Sequence, residues 1–336
     1  MEKTKKNKSS NATRGRKFTE AVGIDLGNTS IKIVRVKKVG TSYSLVETDV
    51  LEPIDWQSGE GNLISLDKRL QTSYAAICYA GLDSVIRYLD MPGKLSGRIM
   101  ENRLRKQLGV NADYRLNSTV AVPNASGDDN KIVAVAVPHT DIESIKNIVA
   151  GSKPSVISLE IAGLAALHTI ESTDEVKNAK EAVCYVESGA EVTVVSFFVG
   201  GQLLLTRKFE YGGSELVARI RESLSVEHDE ALGMIFDDAT KLNDSSETPM
   251  APFLKQLTIS RHYIERSEQC AIEKVYVSGG LSYSPYWIEQ IKLTMGAEVE
   301  IWNPFESNGM TSYPRGVKGV ESMFAPALGS AMAILG

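Results

Sequence analysis

The sequence has few of the residues that build metal centres and covalent cross-links. Only three of its 336 residues are cysteines and four are histidines, and both types are scattered along the chain. Neither set has the close spacing of a zinc site, and three widely separated cysteines do not form a disulfide framework. These absences argue against a structural metal and favour a reducing compartment.

Long apolar runs are also missing. The most apolar stretch, residues 192–205, is interrupted by Gly200, Gly201 and Gln202, which predict a tight turn between two strands. No stretch reaches the ~20 apolar residues that a membrane-spanning helix needs, and the first residues carry no secretory signal. We therefore expect a soluble cytoplasmic protein.

Outside the first 17 residues, acidic side chains outnumber basic ones. Residues 1–17 carry seven Lys or Arg and one acid, Glu2, a net charge of +6; the whole chain has −5, which leaves −11 for the rest. An acidic body is unsuited to phosphate backbones, so we expect no nucleic-acid partner. The Ser-, Asn- and Lys-rich segment 1–17 predicts a disordered basic tail, which either solubilises the chain or is weakly attracted to anionic lipid.

The clearest local pattern is a strand–turn–strand over residues 22–34. Apolar residues alternate on both sides of Gly27-Asn28-Thr29, and glycine and asparagine tolerate the positive φ of tight turns. Glycine also lets the backbone approach an anion, hydroxyl groups add donors, and a lysine supplies a cation. The groups suited to hold a phosphate are therefore Gly27, Asn28, Thr29, Ser30 and Lys32. Asp25 is placed to hold Mg²⁺ through water, since magnesium keeps several waters and takes few carboxylates.

The same arrangement returns in the second half of the chain. Asp25-Leu26-Gly27 and Glu187-Ser188-Gly189 are both acid–x–Gly turns between strands, 162 positions apart. A repeat at nearly half the chain length predicts a duplication of supersecondary structure. Two such hairpins, facing each other, would form a cleft.

Two diglycines complete the predicted cleft. Gly212-Gly213 precedes a helix for which Ser214 is the expected N-cap, so that the helix N-terminus points its positive end at a ligand. Gly279-Gly280 follows the strand 274–278 and offers bare backbone to a base or ribose.

Helical periodicity predicts three further elements. Residues 94–108 form a helix with Leu95, Ile99, Leu104 and Leu108 on its inner face. Residues 141–150 form a second helix that Gly151 ends. Residues 159–170, apolar on nearly all faces, form a buried connector helix, on whose first turn Glu160 lies.

These residues together resemble the PilM family, the cytoplasmic actin-like proteins of type IV pilus and type II secretion machines, and more distantly the FtsA family. The matching segments are residues 23–32, 89–92, 299–305 and 326–331. The resemblance implies an α/β actin-like ATPase fold of two duplicated ribonuclease-H-like lobes with an inserted α+β subdomain and a nucleotide cleft. The implied divisions are a tail at 1–17, a first lobe at 18–83 with 152–178 and 317–336, an insert at 84–151, and a second lobe at 179–316 with a helical subdomain at 212–272.

The resemblance also implies cofactors and partners. ATP and Mg²⁺ would lie in the cleft, and a groove between first lobe and insert would hold the cytoplasmic tail of a PilN-like bitopic membrane protein. Other platform proteins would join, self-association is possible, and the chain would lie at the inner face of the inner membrane through its partners. Carried over by position, the nucleotide site is Asp25, Gly27, Asn28, Thr29, Ser30, Lys32, Gly189, Ala190, Gly213, Gly279 and Gly280.

Two positions bear on catalysis. Glu187 stands where the family normally has Asp, and the additional methylene would blunt the activation of water. Glu160 stands where relatives place a polar residue near the attacking water, although an acid in a first helical turn needs no such role. We therefore expect ATP binding with weak or no hydrolysis. The alternatives are an FtsA-like filament-forming membrane tether, whose basic amphipathic C-terminal helix we do not find, and a small-molecule kinase, whose substrate base we do not find.

Overall fold

The computed structural model describes residues 18–58, 63–92, 97–122, 129–151, 153–237, 239–243, 248–312 and 314–336. The basic tail predicted over residues 1–17 and the position predicted for Leu95 lie outside these ranges. No helix within them is long and apolar enough to cross a membrane.

The described residues form thirteen strands and ten α-helices. The strands are β1 Glu20–Leu26, β2 Ile31–Val39, β3 Ser42–Leu51, β4 Tyr74–Tyr79, β5 Val85–Pro92, β6 Tyr114–Val122, β7 Asp129–Pro138, β8 Ser155–Ile161, β9 Ala182–Ser188, β10 Thr193–Val199, β11 Gln202–Phe209, β12 Ile272–Gly279 and β13 Glu298–Ile301. The helices are α1 Gly97–Leu108, α2 His139–Ile145, α3 Ala162–Ala165, α4 Asp174–Lys177, α5 Gly213–Leu224, α6 His228–Phe236, α7 Thr240–Asn243, α8 Ala251–Glu268, α9 Pro285–Met295 and α10 Ala325–Leu335.

Two five-stranded sheets have the same topology. The first has the order β3-β2-β1-β4-β8 and the second β11-β10-β9-β12-β13. In the first sheet, β1 is antiparallel to β2 and parallel to β4. In the second, β9 is likewise antiparallel to β10 and parallel to β12. Strand β9 lies at the positions of β1 moved by 162 residues. The duplicated two-lobed architecture predicted from the sequence is therefore confirmed.

A third sheet lies between the first lobe's strands β4 and β8 in the chain. It has the order β5-β7-β6, all antiparallel, and α1 covers one face with Leu104 and Leu108. This is the predicted α+β insert; the exact domain boundaries stay a prediction.

The last helix, α10, is buried within the first lobe. Its residues Ala325–Met332 are all buried, and it packs against β1 and α3. A Cβ atom at Gly23 would lie 1.9 Å from the carbonyl oxygen of Ala327, and one at Gly329 would lie 1.9 Å from that of Ala165. Glycine is thus needed at both positions for close backbone contact.

The predicted connector helix over 159–170 is wrong in its first part. Residues Ser155–Ile161 form β8, which pairs parallel to β4, and only Ala162–Ala165 are α-helical before a 3₁₀ turn at Ala166–Thr169. A run that is apolar on all faces suits a buried parallel strand as well as a buried helix, and here the sheet prevails. Glu160 consequently lies on a strand.

Three smaller predictions are also wrong. Ile99 is 68% exposed, so the inner face of α1 is narrower than predicted. Helix α2 ends at Ile145 and not at Gly151, because the following residues enter a bridge between Ile64 and Val149. Ser214 is not the N-cap of α5, since Gly212 holds that place.

The tight turn predicted at Gly200 and Gly201 is confirmed. Gly200 and Gly201 have positive φ in the two-residue turn between β10 and β11. Ser284 caps α9, its hydroxyl accepting a hydrogen bond from the backbone N–H of Trp287 at 3.0 Å.

Candidate functional site

A cavity of about 560 Å³ lies between the two hairpins. The turn after β1, the turn after β9, the start of α5 and the end of β12 form its walls. Of the residues predicted for the site, those lining it are Asp25, Gly27, Asn28, Thr29, Lys32, Glu187, Gly189, Ala190, Gly213, Gly279 and Gly280. Four segments far apart in the sequence therefore meet at one site.

Ser30 and Glu160 do not line the cavity. The backbone carbonyl of Ser30 accepts a hydrogen bond from Lys32 Nζ at 3.3 Å, so Ser30 supports the lysine. Glu160 lies on β8, where it pairs with Cys78 of β4, so that β4 separates it from the β1–β2 hairpin. Its carboxylate lies 3.3 Å from His168 Nε2.

Asp25 and Lys32 form the polar floor of the cavity. They face each other across the β1–β2 pair, with Lys32 Nζ 3.6 Å from Asp25 Oδ2, and both are more than nine-tenths buried. Burial raises the pKa of Asp25, while the Lys32 charge lowers it. Cys78 Sγ approaches the other Asp25 oxygen at 3.9 Å. The floor thus holds a carboxylate and a cation that are both turned away from bulk water.

Glu187 is the counterpart of Asp25 in the second lobe, but its environment differs. The residue paired with it on β10 is Val194, where the first lobe has Lys32. Burial, and next the negative charge of Asp25, raise the pKa of Glu187 to about 8; Lys32 lowers it only in part. Glu187 is therefore largely protonated at neutral pH in this structure.

Gly27 is required by space and not by its φ. The prediction of positive φ in the Gly27-Asn28 turn is wrong, because neither residue is in the left-handed region. A Cβ atom on Gly27 would instead lie 2.6 Å from the carbonyl oxygen of Ser30 and 2.9 Å from Lys32 Nζ. A side chain here would displace the lysine.

The start of α5 is tied to the second hairpin. The backbone N–H groups of Gly213 and Ser214 donate to the carbonyl oxygens of Gly189 and Ala190, at 3.1 and 2.8 Å. These two donors of the first helical turn are thus already used, contrary to the expectation that they point freely at a ligand. The helix dipole still places partial positive charge at this wall.

The two glycines after β12 differ in kind. Gly279 has φ of +85°, and a Cβ atom on it would lie 2.2 Å from the carbonyl oxygen of Ser188. Gly280 has open space within 4 Å of its Cβ position. The fold therefore requires glycine at position 279, whereas glycine at position 280 keeps the cavity wall free of a side chain.

The far end of the cavity is apolar, and sequence reasoning did not identify it. Helices α5 and α6 and the segments after β12 and before α10 supply it, with Val217, Leu232, Ile235, Phe236, Leu281, Tyr283, Val320 and Met323. The helical periodicity of 216–236 indicates core residues, but it does not distinguish those that face a cavity. The cavity thus has a charged end and an apolar end.

Ser188 is a second residue that sequence reasoning missed. Its hydroxyl is fully buried at the charged end, and no group within the described ranges hydrogen-bonds it. A buried hydroxyl without a partner costs stability unless a ligand or water satisfies it. The charged end therefore has both a cation and an unused donor, a set that fits an anionic ligand. A magnesium ion there would be held mainly by water, since no cluster of three metal-ligating side chains occurs in the described chain.

Glu160 belongs to a separate ion-pair cluster. His168 lies between Glu160 and Glu171, with Nδ1 at 2.9 Å from the Glu171 carboxylate. Burial lowers the pKa of His168, but the two carboxylates outweigh it and raise the pKa to about 10. The Glu160 carboxylate is thus paired with a charged histidine, which argues against Glu160 as a catalytic base.

A second cavity adjoins the first. It has about 410 Å³ and lies between the segment after β3, the β4–β5 connection and α2 of the insert. Asn28, Ala80 and Glu191 line both cavities. Trp56 and Tyr79 form an edge-to-face pair in its wall, with ring centroids 5.5 Å apart. We call this second cavity the lobe–insert groove.

Comparison with known proteins finds a family that covers nearly the whole chain. The family described as "Type IV pilus assembly protein PilM" matches residues 23–334. A solved structure described as a PilM–PilN type IV pilus biogenesis complex superposes with a TM-score of 0.75 at 18% identity, covering 96% of this chain and 100% of that one.

Two further solved structures are more distantly similar. The ethanolamine utilization protein EutJ of Carboxydothermus hydrogenoformans has a TM-score of 0.47 at 14% identity, over 94% of this chain and 90% of its own. The cytoplasmic domain of EpsL from Vibrio cholerae, a type II secretion component, has a TM-score of 0.41 at 10% identity, over 94% of this chain and 95% of its own.

Proposed function

The chain belongs to the PilM family of type IV pilus assembly proteins, and we propose that it is a nucleotide-binding platform that assembles with a membrane partner. The family match and the shared fold support the assembly role for a type IV pilus or a type II secretion-like machine. We place it in the cytoplasm, at the inner face of the inner membrane. The resemblance seen in the first hairpin is thus confirmed over residues 23–334.

The proposed ligand of the cleft is ATP with Mg²⁺. The observation that carries this is one cavity with a buried lysine, a carboxylate and an unsatisfied hydroxyl at one end and apolar side chains at the other. A triphosphate suits the charged end and a flat base the apolar end, and about 560 Å³ is within the ordinary range for such ligands.

Lys32, Asp25 and Gly280 would have different roles in binding. Lys32 would neutralise phosphate charge, and Asp25 would hold a water of the metal. Gly280 would let the base or ribose lie against backbone. A bound magnesium ion would supply charge neutralisation at the phosphates.

Holding ATP rather than hydrolysing it is the expected principal activity. A general base must be ionised, and the pKa of Glu187, about 8, keeps most of that carboxyl protonated at neutral pH. Glu160 is paired with His168 outside the cavity. Neither predicted catalytic residue is therefore well placed to activate water in this structure.

The proposed partner is the cytoplasmic tail of a PilN-like bitopic membrane protein, bound in the lobe–insert groove. The PilM–PilN complex supports this partner through its shared fold. The groove lies between first lobe and insert, where the family resemblance leads us to expect the peptide, and it offers aromatic and apolar walls from Trp56, Tyr79 and Ile54.

The alternative of a membrane tether is not favoured. Helix α10 is buried in the first lobe along most of its length, so it cannot at the same time lie on a bilayer. The kinase alternative is likewise not favoured by the family match.

Calorimetric titration of the full chain with ATP·Mg²⁺, followed by phosphate-release measurement, tests nucleotide binding. Lys32→Ala should weaken affinity about tenfold or more, since it removes a buried charge-assisted contact. Lys37→Ala, on the exposed part of the same strand, is the matched control and should leave affinity unchanged. Equal affinity in wild type and Lys32→Ala would reject the proposed phosphate end.

Binding of a synthetic peptide with the cytoplasmic sequence of the partner tests the groove. We expect micromolar binding or tighter to the folded chain, measured by fluorescence anisotropy of the labelled peptide. Leu82→Asp in the groove wall should abolish it, while Val46→Asp, equally exposed but outside the groove, should not. Absence of binding to the folded wild type would count against the partner.

A further inference from the structure

The lobe–insert groove is acidic. Asp55, Asp83, Asp141 and Glu191 are among its lining residues, and no lysine or arginine is among the described residues that line it. Asp141 is already held by the Tyr79 hydroxyl at 3.0 Å, and Asp55 accepts backbone N–H groups of its own loop. Asp83 is exposed and Glu191 half-buried, so both can meet an incoming charge.

The aromatic wall of the groove also suits a cation. Trp56 is only partly buried, and its indole packs edge-to-face with Tyr79. The faces of tryptophan and tyrosine attract ammonium and guanidinium groups. Carboxylates and an aromatic face in one groove together favour a peptide rich in lysine and arginine.

This chain itself has one segment of that chemistry. Residues 1–17 carry seven Lys or Arg and a single acid, whereas the rest of the chain has a net charge of −11. The segment joins the fold at Phe18, which packs on Tyr74 with ring centroids 4.6 Å apart, just before β1 begins at Glu20.

The segment is long enough to reach the groove. Its attachment at Phe18 lies beyond the opposite end of β1 from Asn28, at most about 33 Å away for ten residues at about 3.3 Å each. Seventeen residues can span up to ~56 Å when extended, so a basic stretch can lie in the groove with length to spare.

We propose that residues 1–17 of this chain occupy the lobe–insert groove and compete there with the tail of the membrane partner. A tethered segment has an effective concentration of about 1 mM at its target. If its intrinsic dissociation constant is about 0.1 mM, the groove is ~90% occupied, and the apparent affinity for the partner falls about tenfold. The competition depends on the partner proposed above; the occupation of the groove by residues 1–17 does not.

Trp56 provides a direct readout. The other two tryptophans, Trp287 and Trp302, are at most 2% exposed, so acrylamide quenching of tryptophan fluorescence mainly reports Trp56. In the full chain the groove occupant should shield it. Deleting residues 1–17, or replacing their seven Lys and Arg by Gln in the full chain, should raise the quenching constant about twofold.

The groove side is tested with its own variants. Asp83→Asn with Glu191→Gln should raise quenching in the full chain and have no effect after deletion of residues 1–17. Glu222→Gln with Glu268→Gln, two exposed acids elsewhere, is the control with the same charge change. A synthetic peptide of residues 1–17 added to the truncated chain should restore shielding with a dissociation constant of about 0.1 mM, and 0.5 M salt should reverse it.

Three outcomes would overturn the proposal. Trp56 could be equally quenched in full and truncated chains, or shielding could survive the Asp83 and Glu191 changes. Alternatively, residues 1–17 could drive sedimentation with phosphatidylglycerol vesicles while leaving Trp56 quenching unchanged, which would make them a membrane-binding segment. The truncated chain could show the quenching change while neither the full nor the truncated chain binds the partner peptide. That result would reject the proposed partner but support the binding of residues 1–17 in the groove.

Discussion

Asp25 and Glu187 occupy the same place in two copies of one hairpin, and only Asp25 has a cation opposite it. Each is the second-last residue of its strand, and the cross-strand neighbours are Lys32 and Val194 respectively. The lone lysine lowers the pKa of both carboxyls, but the larger effect of burial leaves both raised. A symmetric duplication has thus become an asymmetric site.

This asymmetry predicts a pH dependence of stability. The pKa of Glu187 is about 8 in the fold against a reference value of 4.5. A raised folded pKa means that the contribution is fully present below about pH 4.5 and is lost as the pH rises through about 8, because the unfolded chain ionises first. Urea unfolding from pH 5 to pH 9 should show a loss on the order of a few kcal/mol assigned to this group.

Glu187→Gln isolates that contribution, since glutamine does not titrate. The unfolding free energy of the wild type should fall steadily relative to that of the variant from pH 5 to pH 9. Glu222→Gln, at an exposed position, should give a constant difference. A wild-type profile parallel to that of Glu187→Gln would show that Glu187 titrates normally.

The two glycines after β12 predict opposite phenotypes. Gly280→Val should leave the melting temperature nearly unchanged but weaken ATP·Mg²⁺ binding about tenfold or more, because its side chain enters the cavity and contacts no protein atom within 4 Å at Cβ. Gly279→Ala should instead destabilise the fold by about 2 kcal/mol or more, given its φ of +85° and the nearby Ser188 carbonyl. Thermal unfolding and calorimetry on both variants separate the two. Unchanged affinity in a folded Gly280→Val would mean that no ligand lies against this wall.

The sequence predicted the polar end of the site well because its signals are local. Acid–x–Gly turns between alternating strands can be recognised within a few residues, and the repeat after 162 positions places two of them together. The apolar end escaped prediction since Leu232, Ile235 and Phe236 have the spacing of any core helix. Which apolar residues face a cavity depends on how α6 packs, and this is a tertiary property.

The errors in the predicted secondary structure also arise from tertiary contacts. Residues 155–161 are a strand because β4 offers a parallel partner that lies about 80 residues earlier in the chain. The end of α2 at Ile145 follows from the backbone of the next residues bonding to Ile64. Neither partner is visible from the local pattern.

Lys208 joins the second lobe to the connection between first lobe and insert. Its Nζ donates to the carbonyl oxygens of Gly81, Leu82 and Ser84, at 2.9, 2.5 and 2.6 Å. Lys208→Met keeps the apolar stem and removes these bonds, so we expect a loss of about 1–3 kcal/mol and faster hydrogen exchange in residues 80–84. Lys131→Met breaks the exposed pair with Asp90 and should cost less than about 1 kcal/mol. Equal effects of the two changes would show that the link at Lys208 contributes no more than a surface pair.

Two helical glycines test whether close packing at α10 defines the first lobe. Gly-to-Ala changes inside helices normally stabilise by up to about 1 kcal/mol, because alanine restricts the unfolded chain and glycine does not. Gly233→Ala in α6 should follow this rule, since its Cβ position has no neighbour closer than 4.0 Å.

Gly329→Ala should reverse the sign. The new methyl group would lie 1.9 Å from the Ala165 carbonyl oxygen, a rigid backbone atom, and α10 would have to move away from α3. We expect a loss of about 3 kcal/mol or more, measured by urea unfolding, since overpacking against backbone cannot relax by a rotamer change. Because α3 follows directly on β8 and its Ala162 and Gly163 line the cavity, ATP·Mg²⁺ affinity should fall as well. A stabilised Gly329→Ala would mean that the helix is free to shift, and that close contact between α10 and α3 does not hold the cleft in shape.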